Sequence, residues 1–318
     1  MDVRTVCIVG GTGFVGMHMA NRLVEHGYGI RVLTRRYRRG QHLLLLPRLR
    51  LIETDVHDER ELVRHFSGCD AVINLAGILS ERHGVGFRQV HVELPRRVLS
   101  AARRADVPRY LHMSALGAHP QGPSAYLRSK GEGERLVLAS DPYEVAVTSF
   151  RPSVIFGPGD HLLSRLAGLA RLSPGLFLLP TPAARFQPVY AGDVAEACIA
   201  ALGDFHTAGR SYELCGPQIY TLRELVAYVL ELQGLRRRIV GLPAGLSRLA
   251  AAVLGRLPGR PYTLDQYRST TVPSCCSEEG LSRLGIRPTA LEAVAPVYIG
   301  WQGQQQARYQ QDRREAGR

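Results

Sequence analysis

Within "SAYLRSK" two side chains can do chemistry together, the phenol of Tyr126 and the ammonium of Lys130. They stand four residues apart, so on a helix they share a face. A free phenol titrates near about 10, too high for proton transfer at neutral pH. A neighbouring ammonium favours the phenolate, and the pairing predicts a lowered Tyr126 pKa and an acid-base role. Lys130 is also the only lysine among 40 lysine and arginine residues. Its compact, three-donor head suits ribose hydroxyls where a planar guanidinium fork does not fit. The chemistry implied is proton transfer beside a sugar-bearing cofactor.

The sequence holds a place for such a cofactor near its start. "VGGTGFVG" sets Gly10, Gly13 and Gly16 in a GxxGxxG frame after one strand pattern and before one helix pattern. Gly10 permits a tight turn, Gly13 a close backbone approach to a diphosphate, and Gly16 close packing of the helix on the strand. With Gly11, Thr12, Phe14 and Val15 they form the expected phosphate loop, whose helix N-terminus offers unpaired N–H groups to an anion. The second strand ends in Thr34, Arg35 and Arg36, where an NAD(H) site usually carries an acid. Guanidinium groups pair with a 2′-phosphate, so NADP(H) is expected over NAD(H). Asp55 and Val56, closing the third strand, are placed toward the adenine. Leu75, Ala76 and Gly77, closing the fourth, would let the ribose lie against backbone.

Positioning these groups requires a sheet. Strand patterns at 5–10, 30–35, 49–56, 71–77, 109–115 and 143–157 alternate with helical patterns at 13–27, 59–68, 85–105 and 124–140. The 85–105 helix carries Pro95 as an expected kink. Such alternation predicts an α/β fold, a Rossmann doubly wound parallel sheet. Residues 1–157 are read as the dinucleotide-binding domain, with 188–216 returning to it. Residues 158–300 form mainly a smaller C-terminal α/β lobe that caps the substrate. The glutamine- and arginine-rich 301–318 reads as a disordered tail.

Composition narrows the class. The 318 residues are 45% hydrophobic with a formal charge of +12. The arginines are dispersed, no RNA-binding signature or DNA-reading helix is present, and a solvated basic surface is the simplest reading, with no nucleic-acid partner. No apolar run approaches the roughly 18 residues of a membrane span, and no secretory leader is apparent. Six cysteines without metal spacing suggest free thiols, a reducing cytoplasm and no metal. "LSRLAAAVLGRL" (246–257) has helical apolar spacing with Arg248 and Arg256 beside it. It reads as packing within the lobe, with a membrane-surface helix as the alternative.

Taken with "RPSVIFGPGD" (151–160), the GxxGxxG and YxxxK motifs make the chain resemble the extended short-chain dehydrogenase/reductases, over about residues 3–300. "VHVELP", "HMSALGA" and "FQPVYAGDVAEA" are similar to the atypical branch that holds the nucleotide-binding accessory subunit of respiratory complex I and its bacterial relatives. The resemblance implies tight NADP(H) binding, Tyr126 and Lys130 as the active pair, and Pro152, Ser153 and Val154 at the nicotinamide end. It also exposes two departures. The family's catalytic Asn position is His91, and its Ser/Thr position is Leu116, with Ser114 two residues before as the available hydroxyl. Loss of a hydroxyl donor to a substrate carbonyl would slow turnover on the order of 10²–10³. The implied function is a low-turnover NADP(H) oxidoreductase or nucleotide-binding accessory protein tied to complex I or quinone metabolism. It would be cytoplasmic, or peripheral at the inner face of the membrane. The alternative is an active reductase or epimerase/dehydratase acting through Tyr126 and Lys130 on a small carbonyl or sugar nucleotide. Oligomeric state is left open.

Overall fold

The computed structural model describes residues 3–81, 84–257 and 262–300; the predicted tail 301–318 lies outside them. The described chain falls into two units. The first comprises the residues up to Pro152 together with Ala191–Leu214 and Cys276–Arg287, and the second comprises Ser153–Tyr190, Cys215–Cys275 and the residues from Pro288 on.

In the first unit β1 (Thr5–Val9), β2 (Gly29–Thr34), β3 (Leu49–Glu53), β4 (Ala71–Asn74), β5 (Arg109–Met113) and β6 (Ala146–Pro152) are joined by helices α1 (Phe14–Glu25), α2 (Glu59–Phe66), α3 (Leu94–Arg104) and α4 (Ala125–Leu138). The strands line up as β3-β2-β1-β4-β5-β6, and Ser211–Leu214 adds a seventh beside β6. Every pairing is parallel. This is the doubly wound order, which reverses direction between β1 and β4 and opens a crevice at the strands' carboxyl ends. Both faces of the sheet are covered, so the strands are nearly continuous apolar runs: β1 reads TVCIV and β4 AVIN, the latter buried throughout. Cys7, Val72 and Tyr110 pack with Leu62 and Phe66 of α2 and Val98 of α3.

The 85–105 helix differs from expectation. Gln89–Glu93 forms a π-helical turn, and Leu94 N donates to Gln89 O five residues back. Pro95 then lies in the first turn of α3. A proline has no N–H for the carbonyl four residues before it, here His91, and the wider turn accommodates that loss. The freed His91 carbonyl faces Gly133 of α4 so closely that any Cβ there would overlap it.

Arg109, wholly buried in β5, braces the far edge of the sheet. Its guanidinium donates to Ala146 O (2.7 Å), Ala201 O (2.8 Å), Thr148 Oγ1 (2.7 Å) and Thr207 Oγ1 (2.6 Å).

The second unit has its own core. Phe156, Leu163, Leu166, Phe177, Leu179, Leu225, Val229, Leu291 and Ile299 bury one another, gathered from the helices Leu163–Leu172, Leu222–Leu232 and Leu291–Ile299 and short strands between them. The strands Leu176–Leu179 and Arg238–Gly241 pair in parallel. The thiol expectation needs one correction. Cys7, Cys69, Cys198 and Cys275 are free, but Cys215 and Cys276 are each disulfide-bonded. Tertiary folding, not spacing along the chain, decides which cysteines meet.

Candidate active site

The phosphate loop is built as its glycines require. Gly10 sits at φ +83°, and a Cβ on it would lie 2.8 Å from Ala76 N, so only glycine lets β1 and β4 end this close together. Gly16 presses against the loop itself, since its Cβ would lie 2.4 Å from Gly11 O. Its role is to close the turn rather than to pack α1 on the strand. Gly13 caps α1 without a side-chain hydrogen bond, and no acid lies in the first turn. The helix therefore presents its positive end, with no side-chain cap, to an anion.

A groove of about 640 Å³ opens there, lined by Gly10, Thr12 and Gly13 at its centre. Toward β2 it is bounded by Thr34, Arg35, Arg36 and Arg39, with Val56 and His57 beside them; toward β4 by Leu75, Ala76, Gly77 and Ile78. The three arginines are exposed, and among the described residues no carboxylate pairs with their guanidinium groups. Arg36 N donates to Thr34 Oγ1 (3.2 Å), which fixes the turn that carries them. Asp55 does not line the groove. It is exposed, and its Oδ1 accepts from His57 N (2.9 Å) in a local turn that brings Val56 and His57 to the groove. Burial lowers the His57 pKa, offset by Asp55 and reinforced by Arg35 and Arg97. Neither His57 nor Arg39 was singled out from the sequence. Gly11, Phe14 and Val15 are not among the lining residues: Gly11 is buried, and Phe14 and Val15 open α1 half-buried.

Gly77 connects the groove to the acid-base pair. A Cβ on it would meet Lys130 Nζ at 3.4 Å and His91 Nε2 at 3.8 Å. Lys130 is buried in α4, and its ammonium donates to Met113 O (2.9 Å) at the end of β5. Burial lowers its pKa to about 8, partly countered by Glu134. Tyr126 stands on the same helix face, its ring edge-on to His91 (5.5 Å) and Phe87 (6.0 Å). Burial pushes its phenol up to about 12, the reverse of the lowering expected from the nearby ammonium.

His91 is clamped. Its Nε2 accepts from Ile78 N (3.1 Å), so Nδ1 carries the proton and donates to Ser129 Oγ (2.9 Å). Ser129 in turn donates to Tyr126 O (2.8 Å). Burial, with Lys130 and His112 nearby, drives the imidazole pKa down to about 2, which keeps it neutral. His91 thus ties the β4 loop to α4 and holds the tyrosine's backbone. A second polar chain lies behind the groove. Ala76 N donates to Asn74 Oδ1 (3.1 Å), Asn74 Nδ2 to Tyr110 OH (3.2 Å), and Tyr110 meets His112 Nδ1 (3.3 Å). These buried polar strand residues gave no sequence signal, because they sit inside apolar runs. Ser114 Oγ and His112 Nε2 are buried without a hydrogen-bond partner among the described residues. Leu116, in the family's hydroxyl position, is buried and donates its N–H to Pro152 O (2.9 Å).

Ser153 and Val154 belong to the second unit. Ser153 Oγ donates to Ser274 O (2.7 Å), and Val154 O accepts from Val189 N (3.0 Å). No group of histidine, cysteine or acidic residues suited to a metal occurs among the described residues.

The donor set fits a dinucleotide: a glycine cradle that a Cβ would fill, a helix end without a side-chain cap that suits a diphosphate, and exposed arginines along the same groove. Comparison with known proteins agrees. Residues 6–215 match the NAD dependent epimerase/dehydratase family. The chain is 31% identical over 300 residues to the mitochondrial NADH dehydrogenase (ubiquinone) 1 alpha subcomplex subunit 9 of Mus musculus, covering 90% of this chain and 77% of that one. It is 31% identical over 253 residues to the ceramide reductase of Caulobacter vibrioides, covering 76% and 75%. The structure of the NADPH-dependent quinone oxidoreductase QOR2 of Escherichia coli superposes with a TM-score of 0.72 at 20% identity, covering 92% of this chain and 99% of that one.

Proposed function

Since the chain belongs to the NAD-dependent epimerase/dehydratase family, we propose that it is a slow NADP(H)-dependent oxidoreductase acting on a lipophilic carbonyl or quinone at a membrane surface. The observation that carries this reading is the groove itself. One end holds three exposed guanidinium groups, and the other reaches Gly77, against which the Lys130 ammonium lies. When bound, the cofactor supplies or accepts a hydride. The protein's own residues do the rest. Arg35, Arg36 and Arg39 would hold a 2′-phosphate, and the α1 N-terminus would hold the diphosphate. Gly77 would admit the ribose, and the Lys130 ammonium, which donates to Met113 O, would hold its hydroxyls. Tyr126, protonated at neutral pH, serves as a hydrogen-bond and proton donor to the substrate oxygen.

Slow turnover follows from what is missing. Leu116 offers no hydroxyl, and His91 Nε2 is committed to Ile78 N. The lipophilic substrate is supported by two relatives whose names carry ceramide and ubiquinone. Leu116 and the clamped His91 also favour a second reading, a nucleotide-binding accessory protein of a respiratory complex, in which the same groove binds without reacting. A single-turnover experiment separates them. Protein loaded with NADPH is mixed with short-chain quinones and long-chain ketones, and nicotinamide absorbance is followed. Oxidation that Tyr126→Phe slows at least a hundredfold supports the enzyme; nucleotide that stays reduced across the panel overturns it.

A further inference from the structure

In the second unit the helix Ala244–Leu254 is amphipathic in the wrong sense for a solvated surface. Its inner face is small, with Ser247 and Ala251 buried and Ser247 Oγ accepting from Thr181 N (3.1 Å). Its outward stripe is large and apolar: Leu246 is 51% exposed, Leu249 59%, Val253 52%, and Leu257 just beyond the helix 46%. A surface helix ordinarily turns polar residues outward, and a contiguous exposed apolar stripe marks a contact site. The stripe has company. Of the eighteen exposed large hydrophobic side chains among the described residues, thirteen fall in the second unit. They include Leu176, Leu178 and Val240, which share the outward face of the paired strands Leu176–Leu179 and Arg238–Gly241.

The charge around the helix selects the partner. Residues 233–264 carry six arginines and not one aspartate or glutamate. Arg236, Arg237 and Arg238 precede the helix, and Arg248 and Arg256 flank its stripe. An apolar face flanked by arginines is complementary to an anionic bilayer, where leucines enter the acyl boundary and guanidinium groups stay with phosphates; Asp265, on the neighbouring helix Leu264–Ser269, is the first acid after this stretch. No described helix is long and apolar enough to cross a membrane.

We propose that this stripe, Leu246, Leu249, Val253 and Leu257 with its arginine rim, docks the protein on the surface of an anionic phospholipid bilayer. The inference deepens the membrane-surface part of the reading above and rests on it only there.

The test is sedimentation of the full chain with large vesicles, either phosphatidylcholine alone or phosphatidylcholine with one part in three of phosphatidylglycerol. The wild type pellets with the anionic vesicles, and raising the salt releases it. Leu249→Gln with Val253→Gln weakens binding at least tenfold, and Arg248→Gln with Arg256→Gln about twenty-five-fold, near fivefold for each cation. Thermal stability and NADPH affinity, read in the same preparations, stay at wild-type values because all four positions are exposed or partly so. Failure to pellet, or pelleting that ignores both double variants, overturns the docking site. A wild-type dimer that Leu249→Gln with Val253→Gln dissociates, without vesicle binding, would give the stripe to a second copy instead. Loss of NADPH binding in the wild type would instead sink the oxidoreductase reading and leave the docking result standing.

Discussion

Replacing Gly133 by alanine adds one methyl group to the middle of α4, the helix that carries Tyr126 and Lys130. Helix propensity alone favours the change by about 1 kcal/mol. Packing opposes it. The new Cβ would lie 1.8 Å from His91 O, against an ordinary contact of 3.4 Å or more, and the neighbour is backbone that cannot swing aside. The π turn and α4 would have to part by about 1.6 Å, which places the overpacking cost at the upper end of the usual range, about 3 kcal/mol. The net loss is then about 2 kcal/mol, or roughly 4–8 °C in Tm for a domain of this size. Gly168 supplies the control, being an exposed glycine in the helix Leu163–Leu172 with nothing within 4 Å of a built Cβ. Gly168→Ala should raise stability by about 0.5–1 kcal/mol. Both variants are compared with wild type by thermal melting and urea titration. A Gly133→Ala protein as stable as wild type, alongside a stabilised Gly168→Ala, would refute the close approach of α4 to the π turn.

The Lys130 pKa is lowered on folding, so between about 8 and its unfolded value the unfolded chain binds the extra proton and stability rises with pH. Lys130→Met should remove that rise, and its stability difference from wild type, measured by urea titration across the window, should shift in parallel; an unchanged difference would contradict the buried ammonium. Arg109→Met takes the buried guanidinium donor from Ala146 O and Ala201 O, while the Thr148 and Thr207 hydroxyls keep each other and their carbonyl partners; it should lower stability by about 2–4 kcal/mol, read as the urea midpoint of the soluble fraction. Gly10→Ala, at φ +83° with Ala76 N in the way, should cost about 2–4 kcal/mol and abolish nucleotide binding measured by fluorescence titration.

What could be seen in the chain beforehand depended on whether the determining interaction was local. The parallel sheet was legible because each strand is an apolar run ended by a turn, and GxxGxxG was legible because positive φ and a strand-to-helix turn restrict the residue type. Arg35 and Arg36 followed from their place at the end of β2. His57 escaped notice because it reaches the groove through a local turn, in which its N–H donates to Asp55 Oδ1. Arg39 was obscured by lying in a 3₁₀ turn without apolar periodicity. The Tyr126–Lys130 spacing was plain, yet the ammonium's partner, Met113 O, is supplied by another strand, and burial rather than that charge sets the phenol's pKa. Pro95 signalled a disturbed helix, but the π turn before it depends on where His91 O meets Gly133.

The central claim is a groove that takes a dinucleotide bearing a 2′-phosphate. Calorimetric titration of nucleotide-free protein with NADPH and with NADH measures it directly, for wild type and for Arg35→Ala with Arg36→Ala. The account predicts NADPH bound at least tenfold more tightly, with the double variant weakening NADPH by ten- to a hundredfold and leaving NADH unchanged. Equal or tighter binding of NADH to the wild type, or an equal loss for both nucleotides in the variant, would contradict it.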